Sequence, residues 1–409
     1  MTAAHETAGH ETLGHETAGH ETAGAATVAR LRREEFPVTG EKVWLNTATY
    51  GPLPVSNVAA QRELLEGMMH GAGAPGLGHW WEGAAGVRAK VGAFIGCDPD
   101  DVALLRSTGE GIGLVSLGLD WRPGDEVVVY DQEFPSGVYP FLALESQGVR
   151  VRFVEDRGRH RFTAEDVAAV MSDRTRVVCV SLVNCYHGFR APIEDIAALC
   201  QERGSWLLVD AVQGAGILPV DVGALGADLV SAHGYKSLCA GYGISFCYVS
   251  PELRDSLRVV APGWKSIEDA PFIDRQLDYN LRYADSARRY EPSVQNLAGM
   301  YGLGASLDLF TGIGPELIRD WVLGLSAAVA AAVTEKGYRV ASSTRPGETS
   351  GIVSVEIPGG DATGVAAALA EQKVSCAVRD GRIRVSCHIF NNADDIGQLA
   401  AALPAVRAA

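Results

Sequence analysis

Short apolar segments alternate with longer amphipathic segments between residues 100 and 250. The apolar segments are rich in Val, Ile and Leu, which is typical of β-strands. The segments between them have the apolar spacing of helices, as at residues 163–171 and 192–202. Seven predicted strands follow from this pattern, at residues 102–106, 126–130, 149–154, 176–182, 206–209, 228–232 and 244–249.

Strand, helix, strand in repetition predicts a mostly parallel sheet that helices cover on both faces. Continuous apolar runs, such as residues 177–183, suit strands that are buried on both faces. Only eleven residues, 233–243, join the last two predicted strands. Because so short a connection has no room for a crossover helix, these two strands are predicted to be antiparallel neighbours. We therefore predict an α/β fold with a large, mostly parallel seven-stranded sheet.

The second half of the chain predicts a smaller domain. Beyond residue 296 the sequence contains long Ala-rich helical segments, including residues 321–336 and 362–371. Two further strands are predicted at residues 351–357 and 382–387. We expect residues 58–295 to form the large domain and residues 296–409 a small C-terminal α/β domain, which residues 27–57 join.

The N-terminal region is of low complexity. Residues 5–24 contain four His-Glu-Thr-Ala-Gly repeats, with Leu replacing one Ala. Such a sequence has no apolar face to bury, so residues 1–26 are predicted to be a disordered tail. Its histidines are five residues apart, whereas a helical zinc motif needs two histidines four apart on one face. No metal site is predicted from His5, His10, His15 and His20.

Composition excludes several classes of protein. The sequence is 47% hydrophobic and 21% charged, as in ordinary globular proteins. Its 35 basic and 50 acidic residues give a net charge of −15, which repels nucleic acid and anionic lipid. We expect neither a membrane span nor a signal peptide, because the apolar runs are too short and the N-terminus lacks the signal pattern. Eight scattered cysteines without Cys-X-X-Cys pairs predict reduced, buried thiols and a cytoplasmic protein.

Four segments place reactive or charged residues where an open α/β sheet binds its ligand or inside a strand. A Gly-rich turn at residues 107–113 can present helix N–H groups to a phosphate, or can be a turn without a ligand. Asp210 is the last residue of a buried strand. A carboxylate in this position either has a cationic partner or caps the following helix. Lys236 follows the next strand. It is either an ordinary solvated side chain or an amine that is ready to form a Schiff base. Arg384 lies in an apolar strand and needs an anion, either a ligand carboxylate or an internal salt bridge.

The order of these features resembles the fold-type I pyridoxal-phosphate enzymes, and more narrowly the class V aminotransferase superfamily. That superfamily includes cysteine desulfurases, kynureninases and isopenicillin N epimerases. The resemblance extends from about Trp44 to the C-terminus and implies the fold-type I transferase fold, with pyridoxal 5′-phosphate (PLP) as cofactor. Four motifs carry it, Val-Asp-Ala-Val-Gln-Gly at 209–214, His-Gly-Tyr-Lys at 233–236, Arg-Tyr-Glu-Pro-Ser-Val-Gln-Asn at 289–296 and Arg-Val-Ser…Phe-Asn at 384–391.

The resemblance also implies a role for each site residue. Lys236 would hold the cofactor as an aldimine and then move the Cα proton of the substrate. Asp210 would pair with the protonated pyridine nitrogen, and Phe134 would stack on the ring. Arg384 would bind the α-carboxylate of the substrate. The remaining residues are Thr108, Gly109, His233 and Tyr235 for the phosphate, Gln213 and Asn184 for the phenolic oxygen, and Asn46 and Trp264 for the pocket wall.

Departures from the family pattern narrow the function. Cysteine desulfurases carry a nucleophilic Cys on a loop before the C-terminal Arg. Here residues 379–384 form a tight turn, Cys376 is predicted to be strand core, and Phe134 replaces the ring-stacking His of desulfurases. A cysteine desulfurase is therefore not predicted. Val294 stands where the family has a Thr that reaches the phosphate across a dimer interface, and Ser293 is the nearest hydroxyl that can replace it.

The main hypothesis is a PLP-dependent lyase that eliminates a β or γ leaving group, with a C–S or related bond broken through a quinonoid. The alternative is a class V aminotransferase, which transfers the amino group to a 2-oxo acid. Epimerisation needs an acid on the second face of the ring, which Phe134 does not supply. A non-catalytic binding protein has no need of Lys236 and Asp210. The resemblance implies a homodimer with a small amino-acid substrate.

Overall fold

The computed structural model describes residues 24–71, 78–268, 277, 279, 281–293 and 296–406. The His-rich repeats up to residue 23, Val294 and the last three residues of the chain lie outside these ranges. A helix, α1, covers residues 24–34, so the last three residues that the sequence assigned to the tail are helical. The strands are β1 (Val43–Trp44), β2 (Val102–Leu105), β3 (Glu126–Tyr130), β4 (Arg150–Val154), β5 (Thr175–Ser181), β6 (Trp206–Asp210), β7 (Leu229–His233), β8 (Ser245–Val249), β9 (Arg339–Val340), β10 (Ile352–Glu356), β11 (Val374–Ser375), β12 (Ala377–Arg379) and β13 (Arg382–Ser386).

The large sheet has seven strands in the order β2-β8-β7-β6-β5-β3-β4. Strand β8 runs antiparallel to both of its neighbours, and the other pairs are parallel. The predicted mostly parallel seven-stranded sheet and the antiparallel pairing of β7 with β8 are both confirmed. The predicted strands overlap the observed ones and differ from them by at most one residue at either end.

The apolar runs form central strands because both of their faces are buried. In β3, Val127 and Val129 pack into one apolar cluster and Val128 and Tyr130 into a second cluster on the opposite face. This alternation is the two-residue period of a strand.

The α-helices that follow α1 are α2 (Val55–Met69), α3 (Gly78–Ile95), α4 (Thr108–Gly118), α5 (Tyr139–Leu142), α6 (Ala164–Val170), α7 (Ile193–Arg203), α8 (Val222–Leu225), α9 (Pro251–Ser256), α10 (Leu297–Ile313), α11 (Pro315–Glu335), α12 (Ala362–Glu371) and α13 (Ala393–Ala402).

A four-stranded antiparallel sheet, in the order β12-β13-β10-β9, forms the second part of the molecule. The segment that precedes α2 is attached to this part, since β1 pairs in parallel with β11. Arg32 on α1 forms an ion pair of 2.7 Å with Asp395 on α13. The N-terminal segment therefore lies against the C-terminal sheet and helices.

Helix α10 belongs to the predicted C-terminal domain by its position in the sequence. Helix α10 packs on α2 and α3 rather than on the small sheet. The side-chain amide of Asn57 donates to the Gly302 carbonyl at 2.6 Å and to Ser306 Oγ at 2.9 Å. A Cβ at position 302 would lie 2.7 Å from Gln61 Nε2 and 2.9 Å from Asn57 Nδ2, so a larger residue there would displace these side chains. Residues 297–313 therefore contact two helices of the predicted large domain.

Among the described residues, α11 is the helix whose length and apolar composition are sufficient to cross a membrane. Ile318, Val322 and Val329 on this helix are buried in the core. The helix packs against β9, β10 and α13. Its apolar residues therefore have partners inside this fold.

Candidate active site

A cavity of about 310 Å³ lies at the carboxyl ends of the central strands. This is the edge at which open α/β sheets bind their ligands. Seven of the twelve residues that the sequence proposed line this cavity, together with residues that it did not propose. The lining consists of Ser107, Thr108, Gly109, Phe134, Ser136, Asp210, Val212, His233, Tyr235, Lys236 and Tyr242.

Lys236 lies in the turn after β7 and is buried. Its Nζ lies 5.2 Å from the centre of the Phe134 ring and 5.5 Å from that of Tyr235. Burial lowers the pKa of Lys236, and the negative charge of Asp210 opposes that shift. An amine with a lowered pKa is neutral more often and is a better nucleophile towards a carbonyl group.

Asp210 is the last residue of β6 and is fully enclosed. Its Oδ1 accepts a hydrogen bond of 2.9 Å from the Val212 backbone N–H. Burial raises the pKa of Asp210 to about 6, although the Val212 hydrogen bond and the Lys236 charge act in the opposite direction. Within the described part of the chain Asp210 forms no ion pair of 4 Å or less, so it is placed to receive a cation from a ligand in the cavity.

The start of α4 provides an anion-binding cradle at the other side of the cavity. Ser107 caps the helix by accepting a hydrogen bond from the Glu110 N–H, so the Thr108 and Gly109 N–H groups belong to its open first turn. The Thr108 Oγ1 is buried without a hydrogen-bond partner among the described residues. Burial lowers the pKa of His233, which also lines the cavity, to about 4, so its ring is neutral near pH 7. A helix terminus with an unpaired buried hydroxyl fits a phosphate group.

The position of Phe134 is fixed by the residue before it. Glu133 is buried and accepts a 2.8 Å hydrogen bond from the Ser181 N–H and a second, short one from the Ser181 hydroxyl. Burial raises the pKa of Glu133 to about 7. Ser181 is paired in register with Asp210 on the neighbouring strand. Glu133 therefore ties the Phe134 loop to the strands behind the cavity, a role that the sequence analysis did not identify.

Arg384 lies on β13 and is 2% exposed. It donates to the Cys185 carbonyl at 2.7 Å and to Thr49 Oγ1 at 2.8 Å, and its Nε has no partner among the described residues. Burial lowers its pKa to about 10, and the charge of Arg379 adds to this effect. Because Arg384 forms no ion pair within the described part of the chain, the internal salt bridge that the sequence left open does not occur there.

Three other predicted residues lie around the cavity without lining it. Gln213 donates to the Ala48 carbonyl at 3.1 Å. Asn184 donates to the Gln132 carbonyl at 2.7 Å. Asn46 accepts a 2.7 Å hydrogen bond from Thr49, which connects it to Arg384. These side chains organise the loops around the cavity in the structure.

Trp264 lies apart from these residues. Its ring is 39% exposed, and its indole N–H donates to Ser293 Oγ at 3.3 Å. Ser293, which the sequence proposed as a replacement hydroxyl for the phosphate, therefore contacts Trp264. Neither residue is part of the cavity lining.

Besides Glu133, four residues around the site were missed in the sequence. Tyr242 stacks on Tyr235 with ring centres 4.6 Å apart, and Ser136 lines the cavity below the Phe134 loop. Thr49 Oγ1 accepts hydrogen bonds from Arg384 at 2.8 Å and from Arg379 at 3.3 Å. Only Arg379 had a signal in the sequence, since the Asp-Gly turn at 380–381 predicts a hairpin that places it on the same face as Arg384.

The donor set therefore fits PLP, with a covalent attachment point, a carboxylate for the pyridine nitrogen and a cradle for the phosphate. No group of three or more His, Cys, Asp or Glu residues that could hold a metal ion occurs in the part of the chain that the structure describes. The fold is that of a fold-type I PLP enzyme, and the residues that line the cavity are compatible with this cofactor.

Comparison with known proteins defines the family. A sequence profile of the class-V aminotransferases matches residues 67–399, and the chain belongs to this family. The uncharacterized aminotransferase YcbU of Bacillus subtilis is 30% identical over 309 residues, which cover 76% of this chain and 80% of YcbU. A probable cysteine desulfurase of Methanothermobacter thermautotrophicus is 28% identical over 386 residues, which cover 89% of this chain and 94% of that protein.

Solved structures share the fold. The apo cysteine desulfurase of Thermococcus onnurineus matches with a TM-score of 0.83 and 22% identity, over 91% of this chain and 96% of that one. The cystine C-S lyase C-DES, in complex with cysteine persulfide, matches with a TM-score of 0.82 and 22% identity, over 90% and 98%. A C-DES variant with the same TM-score of 0.82 has glycine covalently linked to its PLP cofactor. The cofactor of the present family member is PLP.

The buried carboxylate of Asp210 predicts a pH effect on the cofactor-free protein. The pKa of Asp in an unfolded chain is near 3.8, and burial raises the pKa of Asp210 in the folded protein to about 6. The folded state binds the extra proton between these values, so the Asp210 contribution to stability falls as the pH rises through this window. We expect Asp210→Asn to become more stable relative to wild type by about 2–3 kcal/mol between pH 4 and pH 7.

Urea unfolding of both cofactor-free proteins across this pH range measures the effect. Adding PLP near pH 7 is expected to stabilise the wild type more than Asp210→Asn, because only Asp210 gains a cationic partner. A constant stability difference between the two proteins at all pH values would contradict the assignment of Asp210 as an uncompensated buried carboxylate.

Proposed function

We propose that this class-V enzyme is a PLP-dependent lyase, which eliminates a β or γ leaving group from an α-amino acid. PLP supplies an electron sink that makes the Cα–H bond acidic. Lys236 is the base that removes this proton, and its lowered pKa is supported by its burial beside Phe134. The same lowered pKa makes the protonated Lys236 a good acid for a departing thiolate or similar group.

The observation that carries this proposal is the pairing of Lys236 with an apolar Phe134. An acid or base opposite Lys236 would support epimerisation, and Phe134 cannot act as either. Lys236 is the amine in the lining of this cavity, so we assign to it both the removal of the proton from Cα and its delivery to the leaving group. Arg384 is proposed to hold the α-carboxylate so that the Cα–H bond is oriented for removal.

We also propose that the enzyme is not a cysteine desulfurase, although several relatives have that name. β12 and β13 are joined by Asp380 and Gly381 alone, which leaves no loop for a nucleophilic Cys before Arg384. Burial raises the pKa of Cys376 to about 12 and that of Cys185 to about 11. Nucleophilic cysteines need the opposite shift, because the thiolate is the reactive form.

An aminotransferase is the second candidate, because the 30% identical relative YcbU is named as one. In an aminotransferase reaction, the residues of this site would act in the same way up to removal of the Cα proton. Lys236 would then return the proton to the cofactor rather than to a leaving group. The two functions differ in their need for a second substrate, since a 2-oxo acid restores the cofactor only in transamination.

Product analysis separates these two functions. We expect the enzyme to release ammonia and a 2-oxo acid over many turnovers from an amino acid with a β-thioether or disulfide group, without added 2-oxo acid. Alanine, which has no leaving group, is the control and is expected to give no ammonia. A single turnover that resumes only when 2-oxo acid is added would establish the aminotransferase instead.

A homodimer in the cytoplasm is part of the proposal. Tyr242 lines the cavity and is 66% exposed, which supports coverage of the cavity mouth by a second copy. The eight cysteines, none in a disulfide, support a reducing compartment.

A further inference from the structure

Two guanidinium groups converge on one hydroxyl beside the cavity. Arg384 Nη2 donates to Thr49 Oγ1 at 2.8 Å, and Arg379 Nη2 donates to the same oxygen at 3.3 Å. The two nitrogens can therefore be no farther apart than the sum of these distances. The Thr49 hydroxyl donates a hydrogen bond of 2.7 Å to Asn46 Oδ1, so the Thr49 oxygen is oriented to accept hydrogen bonds from both arginines.

The hairpin of β12 and β13 produces this convergence. Ala377 is paired with Arg384, and Arg379 is paired with Arg382. Because alternate residues of a strand share a face, the three arginines lie on one face of the hairpin. Arg382 is compensated by an ion pair with Asp380 and by Glu356 at 3.9 Å.

Arg379 and Arg384 have no such compensation in the described part of the chain. Their other acceptors are the uncharged carbonyls of Val378 and Cys185. Each guanidinium repels the other, and Arg384 is almost completely buried. A buried cation such as Arg384 is costly unless a ligand supplies negative charge. The α-carboxylate of an amino acid compensates Arg384, and the half-buried Arg379 is left available to bind a second anion.

We propose that Arg379 determines substrate specificity by binding a second acidic group, so that the substrate is an α-amino acid with a carboxylate in its side chain. This inference rests on the proposed function, in which Arg384 holds the α-carboxylate. Arg384 is almost completely buried and Arg379 is half-buried, so Arg379 is the guanidinium that is more open to the side chain of a substrate. The short separation of the two nitrogens suits an amino acid whose side-chain carboxylate lies close to its α-carboxylate, such as a short thioether that ends in a carboxylate.

Binding of an inert diacid tests this proposal without any reaction. Succinate and its monoamide, succinamate, have nearly the same shape and differ by one negative charge. Calorimetric titration uses the holoenzyme, in which PLP fills the phosphate cradle. Since a hydrogen bond to a charged group contributes more than one to a neutral group, we expect succinate to bind about tenfold to a hundredfold more tightly than succinamate.

Two variants locate the effect. Arg379→Gln is expected to reduce the preference for succinate to about twofold or less. Arg382→Gln is the matched control, because it removes an arginine from the same face that is already compensated, and it is expected to retain the preference. Unchanged visible absorbance of the cofactor in both variants shows that the fold is intact.

Equal affinities for the two compounds in the wild type would overturn the proposal. Equal weakening of both compounds in Arg379→Gln would also overturn it, because Arg379 would then act only on the structure of the hairpin. Failure of the proposed function is a separate result. A protein that prefers succinate but releases no product from any amino acid retains the two-arginine site and loses the lyase assignment.

Discussion

Replacement of Lys236 with Ala is expected to abolish covalent attachment of PLP and to lower kcat by about four orders of magnitude or more. Lys236 is the amine that lines the cavity, with its Nζ 5.2 Å from the Phe134 ring. The variant loses both the attachment point and the base that removes the Cα proton. Visible absorbance of the purified protein measures attachment, and release of ammonia from an amino acid measures turnover.

Loss of the fold is not expected in this variant. Burial disfavours the charged form of Lys236, so removal of the amine relieves an electrostatic cost. The thermal unfolding midpoint of the cofactor-free variant is expected to equal or exceed that of the wild type. A stable Lys236→Ala protein with normal turnover would remove Lys236 from the mechanism.

Replacement of Arg384 with Gln is expected to weaken the binding of α-amino acids by about a hundredfold or more. Arg384 is buried, forms no ion pair in the described residues and has a free Nε, so it can receive a carboxylate with charge-assisted hydrogen bonds. Loss of such bonds costs about 1.5–3 kcal/mol each. The measurement is the concentration dependence of the change in cofactor absorbance when amino acids are added.

Amines that lack the α-carboxylate provide the control, and their binding is expected to change by threefold or less. Arg384 also connects β13 to the Cys185 loop and to Thr49, so a second variant separates binding from structure. Arg384→Lys retains the charge but not the planar fork, and is expected to bind amino acids with intermediate affinity. Equal losses for amino acids and amines would show that Arg384 acts outside the substrate site.

The sequence predicts the strands and the central residues of the site because the signals for these are local. β6 and β7 are apolar runs, and Asp210 and Lys236 follow from their positions at the ends of those runs. The sequence does not predict contacts that are formed over long separations. Thr49 meets Arg384 across 335 residues and meets Arg379 across 330 residues. Neither contact leaves a periodic pattern in the sequence.

The assignment of α10 illustrates a second limit. Its Ala- and Gly-rich sequence is that of a helix, but the choice of partner depends on the fit between Gly302 and Asn57. Such a fit is a property of two surfaces and not of one segment. Glu133 was missed for a related reason, since its buried position depends on Ser181 of another strand.

Reduction of the holoenzyme with borohydride, followed by peptide mass mapping, tests the role of Lys236 most directly. The prediction is a pyridoxyl group on the peptide that contains Lys236 and on no other peptide. Lys265 provides an internal comparison, because it is also buried but forms an ion pair with Glu291 at 3.3 Å. A pyridoxyl group on Lys265, or on no lysine after incubation with excess PLP, would contradict the active site described above.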